Sequence, residues 1–270
     1  MTPPTLLDVN RLAITDKRTG CRLLEGVTLK LHAGCCTAIV GESGSGKTLL
    51  CKSLLGLLPP WLQVSGEMMF NGNDLRCLSS QAWRAIRGRR MALIMQDAPG
   101  AFDPLYTIGN HFDESLRRHG ALTRAQRRAC ALAQLARVGL RDATAVLAAY
   151  PHQLSGGMLQ RVMIAIALVS QPALIIADEP TASLDSMTQY DIVQQFIELQ
   201  KQHDSAMVFV SHDLALVGAL AQQVVVMKDG RIVEQGCTER VFTHPEQDYT
   251  RHLIETRRRL SAAFHRIMGI

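Results

Sequence analysis

Gly41-Glu42-Ser43-Gly44-Ser45-Gly46-Lys47-Thr48 is the stretch on which the fold turns. Just before it, Cys36 to Val40 is a short, continuous, β-rich apolar run, which reads as a buried strand. After it, Leu49, Leu50, Leu54 and Leu57 share one face at helical spacing, and Pro59-Pro60 is expected to end that helix. The segment is therefore a turn from strand to helix, and it fits G-x-x-x-x-G-K-[ST]. A triphosphate needs closely approaching backbone N–H donors, which glycines permit, and the positive end of a helix. On that logic Gly41 to Gly46 cradle phosphate, Lys47 reaches the β and γ phosphates, and the Thr48 hydroxyl takes Mg²⁺.

Outward from the loop, Leu6 to Ile14 and Leu23 to Leu31 read as opening strands, antiparallel to each other. Met91 to Met95, Ala173 to Ala177, Ala206 to Val210 and Gln223 to Met227 are further core strands. Between Pro104 and Val169 the strand signal vanishes, and Leu116, Ala129, Leu132, Leu135 and Leu140 are spaced for amphipathic helices. Strands alternating with helices predict an α/β fold with a parallel sheet and a helical insertion. The expected division is one domain over 1–270, with a core of 1–96 and 171–240, an insertion of 97–170 and a tail of 241–270.

Composition narrows the function classes. With 47% apolar residues in 270 the chain can bury a sizeable core. Of the formal net charge of +5, Arg251 to Ile270 carries +4, five arginines against Glu255, so the body is nearly neutral and no nucleic-acid-binding face is indicated. Cys21, Cys35, Cys36, Cys51, Cys77, Cys130 and Cys237 read as buried apolar residues of a reducing compartment. Met1 to Asn10 lacks the basic start and apolar run of an export signal, so the chain is expected to stay inside the cell. Val162 to Ala177, the most apolar stretch, is broken by Ser170, Gln171 and Pro172, short of the roughly 20 residues a membrane span needs. In the tail, Leu260, Phe264 and Ile267 would form one face of a short helix flanked by Arg257, Arg258, Arg259 and Arg266.

Leu174-Ile175-Ile176-Ala177-Asp178-Glu179 is an apolar strand ending in two acids. In an open α/β sheet that end is where ligands bind. Asp178 suits Mg²⁺, and Glu179 suits a general base for an attacking water. Leu154-Ser155-Gly156-Gly157-Met158-Leu159-Gln160, taken alone, is a capped helix start with Ser155 as N-cap. Taken together with Gln96, the Ser183-Leu184-Asp185 turn and His212, in this order along nearly the whole chain, it resembles the nucleotide-binding subunit of an ABC transporter.

That resemblance implies a P-loop NTPase (RecA-like) core with an antiparallel β subdomain and an inserted α-helical subdomain, with ATP and Mg²⁺ as cofactors. It implies that Ser155, Gly156 and Gly157 cap the γ phosphate held by the opposite subunit, and that Asp185 shapes the dimer interface. Gln96 would touch Mg²⁺ or the water and relay contact from a membrane subunit, and His212 would contact the γ phosphate. Members commonly stack adenine on an aromatic near the end of the first strand. Ile14 to Leu24 has none, and Arg18 or Arg22 would have to replace it by cation–π stacking.

Met95 to Leu105, Tyr150-Pro151-His152-Gln153 and His244 to Arg251 resemble the dipeptide, oligopeptide and nickel importers of bacteria, and the lack of cysteine after Cys237 tilts the reading towards nickel or a metallophore. The subfamily implies a second, paralogous ATPase subunit head to tail, two transmembrane permeases, an extracytoplasmic binding protein acting indirectly, no nucleic acid, and a peripheral place on the cytoplasmic face of the inner membrane. Two alternatives stand beside it. A soluble ABC ATPase of DNA or ribosomes would carry long coiled coils, zinc modules or tandem cassettes, none of which is present; a non-hydrolysing regulatory subunit would not need Glu179 and His212.

Overall fold

Alternating apolar residues build β1 (Thr5–Asp16), which pairs antiparallel with β2 (Arg22–His32) through buried partners such as Leu7 with Leu31, Val9 with Leu29 and Ile14 with Leu24. This computed structural model describes residues 4–117, 122–182, 184–203 and 205–268. It divides into two compact units, Met1–Cys77 with Val208–Ile270, and Leu78–Met207.

In the first unit, β3 (Cys36–Gly41) is buried at every position and leads into α1 (Lys47–Leu54), which buries Leu50, Cys51 and Leu54. The helix ends earlier than the prolines suggest. Gly56 takes the left-handed conformation (φ +60°), its N–H donates to the Ser53 carbonyl at 3.0 Å, and the Leu57 N–H donates to the Lys52 carbonyl at 2.9 Å. That pairing is a Schellman motif, so Gly56 is the stop. Leu57 consequently lies off the helix and is 41% exposed. β4 (Leu62–Phe70), absent from the sequence reading, pairs antiparallel with β1, and β5 (Asn73–Asp74) completes a sheet in the order β2-β1-β4-β5. Ser65, Gly66 and Glu67 are poor strand formers in the middle of β4, and pairing with β1 makes the strand.

The second unit holds α2 (Ser80–Ile86), β6 (Met91–Ile94), α3 (Ile108–Arg117), α4 (Arg124–Arg137), α5 (Ala143–Ala148), α6 (Gly156–Leu168), β7 (Leu174–Asp178) and α7 (Ser186–His203). β6 and β7 run parallel, from Met91 opposite Leu174 to Ile94 opposite Ala177. Leu116 on α3 and Leu135 on α4 are buried as their spacing predicts; Leu140 is buried too but lies past the end of α4, and Leu132 is half-buried. Ala129 is exposed instead; Ala131, one turn before Leu135 on α4, faces inward.

β8 (Ala206–Val210) carries the chain back to the first unit, followed by α8 (Leu214–Leu220), β9 (Gln223–Lys228), β10 (Arg231–Cys237), α9 (Thr238–Thr243) and α10 (Asp248–Met268). The strands of this unit run in the order β10-β9-β3-β8, with β9 parallel to β3 and β10 antiparallel to β9. Asp229 (φ +47°) and Gly230 (φ +75°) form the β9–β10 turn, with both φ positive as tight hairpins require. α10 is a single helix of 21 residues rather than a short one. The side chains of Arg258, Leu260, Phe264, Arg266 and Ile267 lie outside the described residues. Only Cys36 and Cys51 are buried; Cys21, Cys77 and Cys237 are exposed and Cys35 and Cys130 intermediate, since most of them sit at strand ends and turns. No helix among the described residues is long and apolar enough to cross a membrane.

Candidate functional site

The glycine-rich loop leaves β3 at Gly41 and enters α1 at Gly46, in the strand–turn–helix context its sequence predicts. Gly41 has φ +155°, and a Cβ there would lie 2.3 Å from the Met227 carbonyl oxygen of β9. Gly46, the N-cap of α1, is left-handed at φ +100° and has no side-chain cap. The first-turn amides of α1 are thus not capped by that side chain, and no acidic residue occupies this turn, which favours an anion. Lys47 is only 8% exposed, and its ammonium donates to the carbonyls of Gly41 (3.0 Å) and Glu42 (2.7 Å). Glu42, Ser43, Gly44 and Thr48 are exposed, whereas Ser45 is buried and its carbonyl accepts from the Gly230 N–H at 3.1 Å.

The β1–β2 hairpin borders this loop: a Cβ on Gly46 would meet the Leu24 side chain at 2.6 Å, and the Glu25 N–H donates to the Gly230 carbonyl at 2.9 Å. At the hairpin tip the Arg18 guanidinium grips Asp16 through two hydrogen bonds (3.1 and 2.8 Å), which hold the Asp16 carboxyl down at about 2. Arg18 also lies over the ring of Trp61, 4.9 Å from its centroid, and the Lys17 N–H donates to the Trp61 carbonyl at 3.0 Å. Trp61 is 44% exposed. Arg22, the other sequence candidate, pairs with Glu25 at 3.1 Å. Also in this unit, His212 is exposed just after β8, and Asp213 beside it caps α8 by accepting from Ala215 and Leu216 N–H groups.

In the second unit, Asp178 ends β7 and both it and Glu179 are half-buried. Glu179 adopts φ +48°, an uncommon conformation for a residue with a side chain. Gln96 is exposed two residues beyond β6. Ser155 caps α6 by accepting from the Met158 N–H at 3.3 Å, with Gly156 and Gly157 in the first turn. Gln160 of the same helix is fully buried; its amide nitrogen donates to the carbonyls of Met95 (3.1 Å) and Pro180 (2.7 Å). One side chain therefore ties the segment carrying Gln96 to the one carrying Asp178 and Glu179. Asp185 precedes α7, and its carboxylate accepts from the Thr188 N–H (3.0 Å) and hydroxyl (2.7 Å), bonds that lower its pKa. Arg161 donates to the Thr188 hydroxyl at 2.6 Å. Ser183 lies outside the described residues.

Residues 24–182 match the ABC transporter family. The chain belongs to that family. It is 42% identical over 264 residues, 98% of this chain and 97% of the relative, to the metal-staphylopine import system ATP-binding protein of Staphylococcus aureus. It is 39% identical over 254 residues, 93% of this chain and 77% of the relative, to the dipeptide transport ATP-binding protein of Haemophilus influenzae. Its fold aligns at a TM-score of 0.78, with 28% identity over 86% of this chain and 98% of the other, to a dimeric post-hydrolysis ATP-binding cassette bound to ADP and Pi.

This ABC protein is thus an ATP-binding subunit and an ATPase. Within its first unit the structure brings together the loop, Lys47 and the Arg18 hairpin; within its second it joins Gln96, Asp178 and Glu179 to the Ser155 helix through Gln160. Trp61 was not among the residues singled out by sequence, and Gln160 was quoted only as the end of the Ser155 motif, with no role of its own. Trp61 meets Arg18 only through the pairing of β1 with β4, and Gln160 meets the Met95 and Pro180 carbonyls through partners distant in sequence, which a capped helix start does not announce.

Proposed function

We propose that this chain hydrolyses ATP for a bacterial importer of nickel or another metal chelate, and that the motif residues divide the work as follows. Gly41 to Thr48 bind the phosphates, with Lys47 leaving its loop carbonyls for the β and γ oxygens. Glu179 takes the proton of the attacking water, His212 contacts the γ phosphate, and Ser155, Gly156 and Gly157 cap the nucleotide of the opposite subunit across an interface that Asp185 helps to shape. Thr48 hydroxyl, Gln96 amide oxygen and Asp178 carboxylate are hard oxygen donors of the kind Mg²⁺ takes. Bound with ATP, that ion neutralises charge on the β and γ phosphates. Trp61 with Arg18 over its ring supplies the stacking surface for the base that the first strand lacks.

The observation that carries the cargo assignment is the 42% identity, over nearly the full length of both chains, with a subunit of metal-staphylopine import. The 39% identity with a dipeptide transport subunit favours peptide as the alternative. The partners are a second ATPase subunit head to tail, two permeases, and an extracytoplasmic binding protein acting through them; the chain sits on the cytoplasmic face of the inner membrane. A groove of about 230 Å³ in the second unit, lined by Phe102, His111, Met163 and Ile166, suits an apolar permease segment. Reconstituting the four membrane-associated subunits in proteoliposomes tests this reading. Hydrolysis should rise when the binding protein is loaded with a nickel chelate, and stimulation by a dipeptide alone would transfer the assignment to peptides.

A further inference from the structure

The tail motif around Tyr249 has no part in the chemistry above, yet it reaches the phosphate loop. α10 begins at Asp248, and its Tyr249 hydroxyl accepts a hydrogen bond from the Glu42 N–H at 3.2 Å. Glu42 is the second residue of the loop. Its carbonyl faces the other way, accepting the Lys47 ammonium at 2.7 Å and the Ser45 N–H at 3.2 Å. A single residue is therefore pinned from outside by Tyr249 while it holds the loop lysine on the inside.

The pin is itself anchored. The Glu234 carboxylate of β10 accepts from the N–H groups of Glu246 (2.8 Å) and Gln247 (3.1 Å), which fixes the segment entering α10. The Lys228 ammonium at the end of β9 lies 4.9 Å from the centre of the Tyr249 ring. Burial raises the pKa of the phenol, so the hydroxyl keeps its own hydrogen at neutral pH. The loop it steadies is rich in glycine, and ordering such a segment for each nucleotide is entropically expensive. An external hydrogen bond to the loop's own backbone lowers that cost before the nucleotide arrives.

We propose that Tyr249 is a positioning residue for nucleotide binding: through Glu42 it sets the phosphate loop in its binding shape and links α10 to nucleotide affinity. This rests on the loop being the ATP site. Tyr249→Phe removes the hydroxyl and keeps the ring under Lys228. By titration calorimetry of the full chain it should bind ATP about 3- to 10-fold more weakly, the worth of one hydrogen bond. In the reconstituted transporter KM for ATP should rise with kcat unchanged. Lys228→Met, which strips the cation but leaves the hydroxyl, should stay within about 2-fold of wild type. Affinity in Tyr249→Phe equal to or tighter than wild type overturns the proposal, and so does an equal loss in Lys228→Met, which would mean that ring packing matters and the hydroxyl does not. Lys47→Ala in the same series separates the two levels: ATP binding untouched by it removes the functional reading itself, whereas its loss alongside an unaffected Tyr249→Phe removes only the role of Tyr249.

Discussion

Glu179 has its backbone turned into the left-handed region and its side chain half-buried at the end of β7. Gln has the same shape and backbone demands, so Glu179→Gln should fold and bind ATP normally while losing turnover by about 10² to 10⁴, the usual worth of a general base. Phosphate release and nucleotide binding measured on one preparation check this; wild-type turnover in the variant would remove the assignment. Trp61 and Arg18 make a second residue-scale prediction. Stacking on an aromatic contributes about 1–3 kcal/mol, so Trp61→Leu should weaken ATP binding and blunt its preference over GTP. Arg18 is held by Asp16, whose carboxyl is depressed to about 2 by that guanidinium. A depressed carboxylate makes its contribution above its ordinary pKa and loses it only as pH falls through the lowered value. Base preference should therefore be flat between about pH 5 and pH 8. A titration in that window would exclude the Asp16–Arg18 pair as its support.

At the scale of elements, the end of α1 separates two explanations that the sequence leaves together. If Gly56 stops the helix, Gly56→Ala forces a side chain into φ +60° and should cost about 1 kcal/mol, whereas Pro59→Ala should be close to neutral. Chemical denaturation of both variants decides between them. The same contrast shows what could be read in advance. β3, β6, β7, β8 and β9 announce themselves as unbroken apolar runs because both faces are covered. β4 does not, since its polar mid-section becomes a strand only against β1, 50 residues or more away in sequence for most pairs. β10 does not either, despite the Asp229-Gly230 signal, because Glu234, Gln235 and Gly236 break its alternation. Motif residues were legible because a short chain segment fixes their geometry. Trp61 was not, and the roles of Gln160 and Tyr249 were not although both stand in quoted motifs, because each acts through a partner distant in sequence.

For the whole molecule, one phosphate loop and one Ser155-Gly156-Gly157 segment per chain leave a site incomplete if the latter serves an opposite subunit's nucleotide. The purified chain should then be mainly monomeric by light scattering and a poor ATPase, with hydrolysis appearing on addition of the partner subunit. Exposed Cys21, Cys77 and Cys237 can join copies through disulfides in air, so the measurement belongs in reducing buffer. A tight nucleotide-free dimer there would count against the head-to-tail arrangement.

Gly41 carries a consequence for reading related chains. Its place is dictated by a neighbouring carbonyl, that of Met227, 2.3 Å from where a Cβ would stand, and not by any phosphate. A descendant that had abandoned nucleotides altogether would still be obliged to keep this glycine while β9 lay against β3, whereas replacing Lys47 would cost the loop the hydrogen bonds to the Gly41 and Glu42 carbonyls but cause no backbone clash. As a mark of living enzymes among decayed copies, the lysine is informative and the first glycine is mute.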